Sequence, residues 1–164
     1  MKAKVAVYGL LLSLLVGCVQ HENRDKGPLH DLIWGSWVRL QIAPTFEAPI
    51  EYELNQHAPY YLIYTEYSGA GGYDWGEKVK VLRISLSPEE HESVKQKISS
   101  ALEAFPIKDE VMGPDGTIWV LESNLYTYTK VAAWTPEYET EVRGYSELLQ
   151  LEGHLRDLVS LYDR

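Results

Sequence analysis

The chain has 164 residues, with 24 Asp and Glu against 15 Lys and Arg, and its formal net charge is −9 at pH 7. This length fits one domain that can bury a core. The acidity excludes nucleic acid as an expected partner, because like charges repel, and favours cationic proteins, neutral ligands or metal ions. A single cysteine excludes a disulfide within the chain and a zinc–thiolate cluster.

The N-terminal segment has the layout of a secretory signal. Lys2 and Lys4 supply positive charge, Tyr8 to Val16 form an apolar run, and the small residue Gly17 precedes Cys18. The ending Leu-Val-Gly-Cys resembles the lipobox of bacterial lipoproteins. The resemblance implies cleavage between Gly17 and Cys18, removal of residues 1–17, and attachment of lipid to Cys18.

A transmembrane anchor is the alternative for this segment. The apolar stretch from Val5 to Val19 is only about 15 residues long, whereas a spanning helix needs about 20. An Asp directly after the lipidated cysteine would signal retention in the inner membrane, and Val19 stands there instead. The expected location is therefore the outer membrane, facing the periplasm, with residues 18–31 as a flexible tether and the membrane bound through the lipid on Cys18.

Residues 32–164 are predicted to form one domain that begins with four strands. Apolar and aromatic residues alternate with polar ones in each of them, as in half-buried strands. A change of face within the fourth strand predicts a bulge near Val81-Leu82. The four predicted strands lie around Trp34–Ile42, Ile50–Leu54, Tyr60–Tyr67 and Lys78–Leu86.

A helix follows, and its start is the clearest local signal in the domain. Ser87 can cap the helix, Pro88 fits its first position, and Glu90 completes a capping box. A hairpin over Thr117–Glu122 and Leu125–Trp134 and a last helix over Val142–Tyr162 come next. This order predicts an α+β fold, a mainly antiparallel sheet with two helices packed on one face.

Four motifs occur in order along this domain. They are Gly-Gly-Tyr at Gly71–Tyr73, a helix start at Leu86–Glu90, Asp-Gly-x-x-Trp-x-x-Glu at Asp115–Glu122, and Trp-x-Pro at Trp134–Pro136. Together the motifs resemble a family of small, uncharacterised bacterial proteins, from about Pro44 to Leu158. The resemblance supports the fold and implies no activity. Ala133 stands where an Arg is expected.

The Gly-rich segment Gly69–Gly76 is the main candidate site. Glycines allow close backbone approach, and Tyr73, Asp74 and Trp75 can contact a partner beside Gly71 and Gly72. The segment is not a phosphate loop, because a strand follows it and no Lys-Ser/Thr pair does. The alternative is a flexible connection whose aromatic side chains pack back on the sheet.

Three weaker candidates lie on the predicted hairpin. Glu122 is either a buried carboxylate with a raised pKa or one that pairs with a neighbour or faces solvent. Trp119 and Trp134 lie on adjacent strands, where core packing is the default for tryptophan. The histidines match no metal-binding spacing, and no nucleophile motif occurs. The sequence therefore predicts no metal, no cofactor and no catalytic residue, and leaves the oligomeric state open.

Three functions remain as hypotheses. The first is a lipid-anchored module that binds another envelope protein, for example as an immunity-type inhibitor of a toxin. The second is a glycan or small-ligand binder, based on a row of tyrosines on one sheet face, at Tyr60, Tyr64, Tyr126 and Tyr128. The third is a hydrolase that uses carboxylates such as Asp74 and Glu122. The missing catalytic motifs favour the first, a protein that is not an enzyme.

Overall fold

The computed structural model describes residues 38–55, 57–125 and 127–163. The predicted signal peptide, Cys18, the tether and the beginning of the predicted first strand lie outside these residues, as does Tyr126. No helix of the described residues is both long enough and apolar enough to cross a membrane.

Six antiparallel strands form one sheet in the order β4-β3-β2-β1-β5-β6. The four predicted strands of the first half form one continuous antiparallel run, and the hairpin adds to its β1 edge. The strands are β1 Val38–Pro44, β2 Ile50–Leu54, β3 Tyr61–Tyr67, β4 Lys78–Ser85, β5 Thr117–Ser123 and β6 Thr129–Trp134.

Two long helices and one short helix accompany the sheet in the described residues: α1 Pro88–Glu103, α2 Thr140–Arg143 and α3 Ser146–Tyr162. The predicted capping box of α1 is confirmed, because the Ser87 hydroxyl accepts the Glu90 N–H and the Glu90 carboxylate accepts the Ser87 N–H. The predicted α+β class is likewise confirmed, since α1 and α3 pack on each other and cover one face of the sheet.

The sheet has two different faces because side chains alternate along each strand. The helix-covered face is apolar and packs against Val94 and Ile98 of α1 and Leu151 and Leu155 of α3. The opposite face, called here the outer face, carries most of the charged strand residues. The buried apolar strand residues of the helix-covered face are Val38, Leu40, Ile42, Tyr52, Leu54, Leu62, Tyr64, Ile84, Trp119, Leu121 and Ala133.

Three local predictions were wrong. The bulge predicted near Val81-Leu82 occurs two positions earlier, because the register shift opposite Glu66 and Tyr67 makes Val79 the extra residue. Val79 and Val81 lie exposed on the edge strand, where no buried face constrains them. The predicted last helix is divided into α2 and α3, because Gly144 takes a left-handed conformation between them. The second strand of the hairpin begins at Thr129 rather than Leu125.

Candidate functional site

The Gly-rich segment connects β3 to β4 and folds against the loop between β1 and β2. Within the segment, the Gly69 N–H donates to the Trp75 carbonyl at 2.9 Å. Towards the neighbouring loop, the Gly71 N–H donates to the Glu47 carbonyl at 3.0 Å and the Gly72 N–H to the Thr45 carbonyl at 3.2 Å. Backbone hydrogen bonds therefore hold the segment together internally and attach it to the loop between β1 and β2.

Close backbone approach explains two of the glycines. A methyl group placed on Gly71 would lie 2.5 Å from the carbonyl carbon of Ala43, and one on Gly69 would lie 1.9 Å from the carbonyl oxygen of Asp74. These separations are far shorter than carbon contacts at van der Waals distance. Only glycine fits at both positions without movement of the backbone.

The two aromatic residues of the segment have different environments. Trp75 packs edge-on against Tyr67 with 5.1 Å between ring centroids, and its indole N–H donates to the Gly71 carbonyl at 3.3 Å. The Tyr73 side chain is 72% exposed and lies 6.1 Å from the ring of Phe46, which is 66% exposed. The Asp74 carboxylate is exposed and accepts the Gly76 N–H at 2.9 Å. Two exposed rings thus stand side by side on two loops that share backbone hydrogen bonds.

A network of polar and charged side chains extends from Tyr67 across the outer face. The Tyr67 hydroxyl donates to Glu51 at 3.3 Å, and the Gln41 amide donates to the other oxygen of Glu51 at 2.7 Å. Arg39 lies 3.5 Å from the carboxylates of both Glu53 and Glu122. The network thereby links the Gly-rich segment, through Tyr67, to β1 and β5.

Burial dominates the electrostatics of this network. Desolvation raises the pKa of Glu51, against the opposing effect of the hydrogen bond from Gln41. Desolvation, together with the nearby charge of Glu51, raises the pKa of Tyr67 to about 12. The Tyr67 hydroxyl therefore stays protonated and continues to donate to Glu51 at neutral pH.

Glu122 belongs to the same outer face and is half-buried. Its carboxylate pairs with Lys130 at 2.9 Å and Arg39 at 3.5 Å, and it accepts the Tyr128 hydroxyl at 3.1 Å. Glu122 therefore pairs with its neighbours, which is one of the arrangements expected for it. Trp75 and Glu122 are thus two predicted site residues on one face, at opposite ends of the network.

The two tryptophans of the hairpin lie on opposite faces of the sheet. Trp119 is buried on the helix-covered face, and its indole N–H donates to Glu137 at 2.9 Å. Trp134 is paired with Ile118 and lies over Gly116, where an added methyl group would come within 2.6 Å of the indole ring. The expected packing in the core is therefore found for Trp119 and not for Trp134.

The row of tyrosines proposed for sugar stacking is not formed by its described members. Tyr64 is buried on the helix-covered face, whereas Tyr128 reaches Glu122 on the outer face. Tyr60 stacks on His91 with 4.0 Å between ring centroids. The expectation of a single aromatic row was wrong because it counted positions across separate strands without knowing their register.

The carboxylates proposed for hydrolysis have separate partners. Asp74 accepts the Gly76 N–H within its own turn, while Glu122 is engaged on β5 with Arg39, Lys130 and Tyr128. The described residues contain no group of three His, Cys, Asp or Glu side chains placed to hold a metal ion.

A serine–histidine pair was missed by the sequence patterns. The Ser93 hydroxyl of α1 lies 3.4 Å from Nε2 of His154 on α3, and burial lowers the pKa of His154. Both residues lie within helices, where backbone N–H groups are used in the helical hydrogen bonds. The surrounding helix backbone thus offers no pair of N–H groups to stabilise an oxyanion at Ser93.

Arg143 is another residue whose structural role the sequence patterns missed. Its guanidinium donates to the carbonyls of Trp134 and Thr135 at 2.7 Å and to Asp109 at 2.6 Å. The bonds from Arg143 and Tyr145 hold the pKa of Asp109 at about 2. This cluster joins the end of β6 to α2 and the segment after α1.

The chain matches no family model, no curated protein and no solved structure. The resemblance to lipoproteins and to small uncharacterised bacterial proteins therefore stays a prediction.

Proposed function

We propose that this domain is a protein-interaction module, anchored to the outer membrane by lipid on Cys18, and that Phe46 and Tyr73 form its contact with an envelope protein. The observation that carries the proposal is the exposure of two adjacent aromatic rings, 66% and 72%, on loops with backbone hydrogen bonds between them. Exposed aromatic anchors of this kind dominate the energy of many protein interfaces.

Preorganisation supports this role of the pair. The bonds from Gly71 and Gly72 to the neighbouring loop fix the backbone on which Tyr73 stands. A contact surface that is already ordered loses less conformational entropy on binding than a mobile loop does. More of the free energy gained by burying Phe46 and Tyr73 therefore appears as binding affinity.

The charge of the chain supports a cationic partner. The chain carries 24 acidic against 15 basic residues, so long-range attraction would speed association with a basic protein and weaken as salt is added. The predicted lipid anchor would hold the domain beside such partners in the envelope.

The test is affinity capture from solubilised envelope, with the native chain beside the double variant Phe46→Ala, Tyr73→Ala. Both side chains are mostly exposed, so the double variant should fold as the native chain does. We expect a captured basic protein to bind the variant at least about thirty-fold more weakly, the loss typical of two aromatic anchors. Trp75→Ala is unsuitable, because Trp75 packs on Tyr67 and its loss would disturb the loop.

Tyr162→Ala is the matched control, since Tyr162 is an aromatic residue of similar exposure at the end of α3. Retention that is unchanged by Tyr162→Ala and lost in the double variant supports the proposed contact. Equal retention by all three proteins would move the contact away from Phe46 and Tyr73. A native chain that retains no protein, but binds cell-wall fragments, would favour the glycan hypothesis instead.

A further inference from the structure

A pocket lies away from the Gly-rich segment, between the second half of α1 and the turn that joins β5 to β6. Its volume is about 220 Å³. The described residues that line it are Ser99, Leu102 and Glu103 of α1 and Ser123, Leu125, Thr127 and Thr129 of the hairpin.

The pocket exists because the hairpin has small polar side chains, instead of large apolar ones, next to its turn. Leu121 and Val131 are paired on β5 and β6 and supply apolar side chains to the helix-covered face. The next pair on the same face is Ser123 and Thr129, two small hydroxyl residues. Large apolar side chains at these positions would extend the core, so the small residues leave space at some cost in packing.

The lining groups have a definite chemistry. Four of the seven described lining residues carry hydroxyl groups, which donate and accept hydrogen bonds. Ser123 is only 2% exposed, and its hydroxyl accepts the Leu125 N–H at 3.2 Å, so its own proton can still be donated to a ligand. Leu102 and Leu125 supply apolar surface, and Glu103 is the one charged residue of the described lining.

We infer that this pocket binds a small polyol that carries one ammonium group, of the size of a single amino sugar. At about 220 Å³ the pocket is smaller than the roughly 300 Å³ or more of a typical drug-sized site, which favours a ligand of one ring. The Ser123 hydroxyl would donate to a ring hydroxyl of the ligand, and the Thr129 hydroxyl, which donates to the Thr127 carbonyl at 3.4 Å, would accept from another. The carboxylate of Glu103, which is exposed, would meet the ammonium group by a charge-assisted hydrogen bond.

The experiment is a titration of the full-length chain in detergent micelles with D-glucosamine, followed by calorimetry and by amide NMR shifts. Glucose serves as the probe that lacks the ammonium group. We expect saturable binding of glucosamine, with shifts at Ser123 and Thr129, and binding of glucose about three-fold weaker, the usual scale for one ion pair at an exposed carboxylate. Absence of saturable glucosamine binding would overturn the inference, as would equal affinity for glucose.

Two variants locate the site, and a third is the control. Glu103→Gln should reduce the affinity for glucosamine about three-fold and leave that for glucose unchanged. Thr129→Val keeps the shape of the side chain and should weaken both ligands. Glu147→Gln, a charge change on α3, should alter neither. Unchanged glucosamine affinity in both Glu103→Gln and Thr129→Val would refute the site. The result is independent of the proposed function, because the variant without Phe46 and Tyr73 should bind glucosamine normally.

Discussion

Replacement of Gly71 by alanine tests whether close backbone contact holds the candidate interaction site in place. The φ angle of Gly71 lies outside the left-handed region, so its own backbone can accept alanine. The obstacle is contact, because the added methyl would lie 2.5 Å from Ala43 C, 2.6 Å from Ala43 Cα and 2.6 Å from the Pro44 carbonyl oxygen. All three are backbone atoms, which cannot turn away as a flexible side chain would.

The expected cost follows from the bonds that depend on this contact. The Gly-rich segment must move away from β1, which breaks the hydrogen bonds from Gly71 to Glu47 and from Gly72 to Thr45. Each such bond contributes about 1 kcal/mol net. Alanine also reduces the entropy of the unfolded chain, which offsets part of the loss by about 0.5 kcal/mol. With residual strain, the free energy of unfolding should fall by about 2 kcal/mol.

Gly153→Ala is the matched control, because it makes the same chemical change inside α3. A methyl group there meets nothing within 4 Å. Alanine is the better helix former, so this variant should be more stable than the native chain by about 0.5–1 kcal/mol. The two identical substitutions are thus expected to have opposite signs.

Urea unfolding followed by tryptophan fluorescence measures both variants. The native chain and the two variants are compared at the same pH and salt. The free energy of unfolding should fall with urea concentration at the same slope in all three, which shows that they unfold in the same transition. A Gly71→Ala protein within about 0.5 kcal/mol of the native chain would show that the segment moves without cost and that close backbone contact does not hold it in place.

Three further predictions concern the supports of the site. Arg143→Met should lower the free energy of unfolding by about 3 kcal/mol in chemical denaturation, because it leaves the Trp134 and Thr135 carbonyls and Asp109 without their donor. Arg143→Lys should lower the free energy of unfolding by a smaller amount. The pKa of Asp109 is lowered from 3.8 to about 2, so its contribution to stability is complete only above about pH 5 and is lost as the pH falls through 3.8 and then 2. Asp109→Asn should reduce that decline in an acid titration of thermal stability. Trp119→Phe should cost about 1 kcal/mol through loss of the hydrogen bond to Glu137, and in a Glu137→Ala background the same substitution should cost measurably less.

Local signals in the sequence predicted the parts of the fold that local interactions determine. The first helix was predicted correctly because Ser87, Pro88 and Glu90 satisfy its first backbone N–H groups within one turn. The strands were predicted because their alternating pattern matches one covered face and one outer face. The break at Gly144 was missed, because glycine occurs both within helices and just past their ends, and only the left-handed backbone of Gly144 decides between the two.

The relations between strands could not be predicted, because register depends on contacts distant in the sequence. Trp119 and Glu122 are three residues apart on one strand, so they must lie on opposite faces. They were nevertheless grouped as candidate site residues, because they belong to one motif. Arg39 meets Glu122 only because β1 pairs with β5, across more than half of the described chain. No spacing rule connects two such residues before the sheet order is known.

The Gly-rich segment shows why composition alone is weak evidence for a binding site. Gly69 and Gly71 are required by the fold, since each lies against backbone atoms where no side chain fits. Trp75 is engaged with Tyr67, and Asp74 is used within its own turn. Once these structural roles are accounted for, Tyr73 is the residue of the segment whose side chain is mostly exposed and large enough to anchor a partner. The case for interaction therefore rests on Tyr73 and its neighbour Phe46, and the glycines contribute by holding them in place.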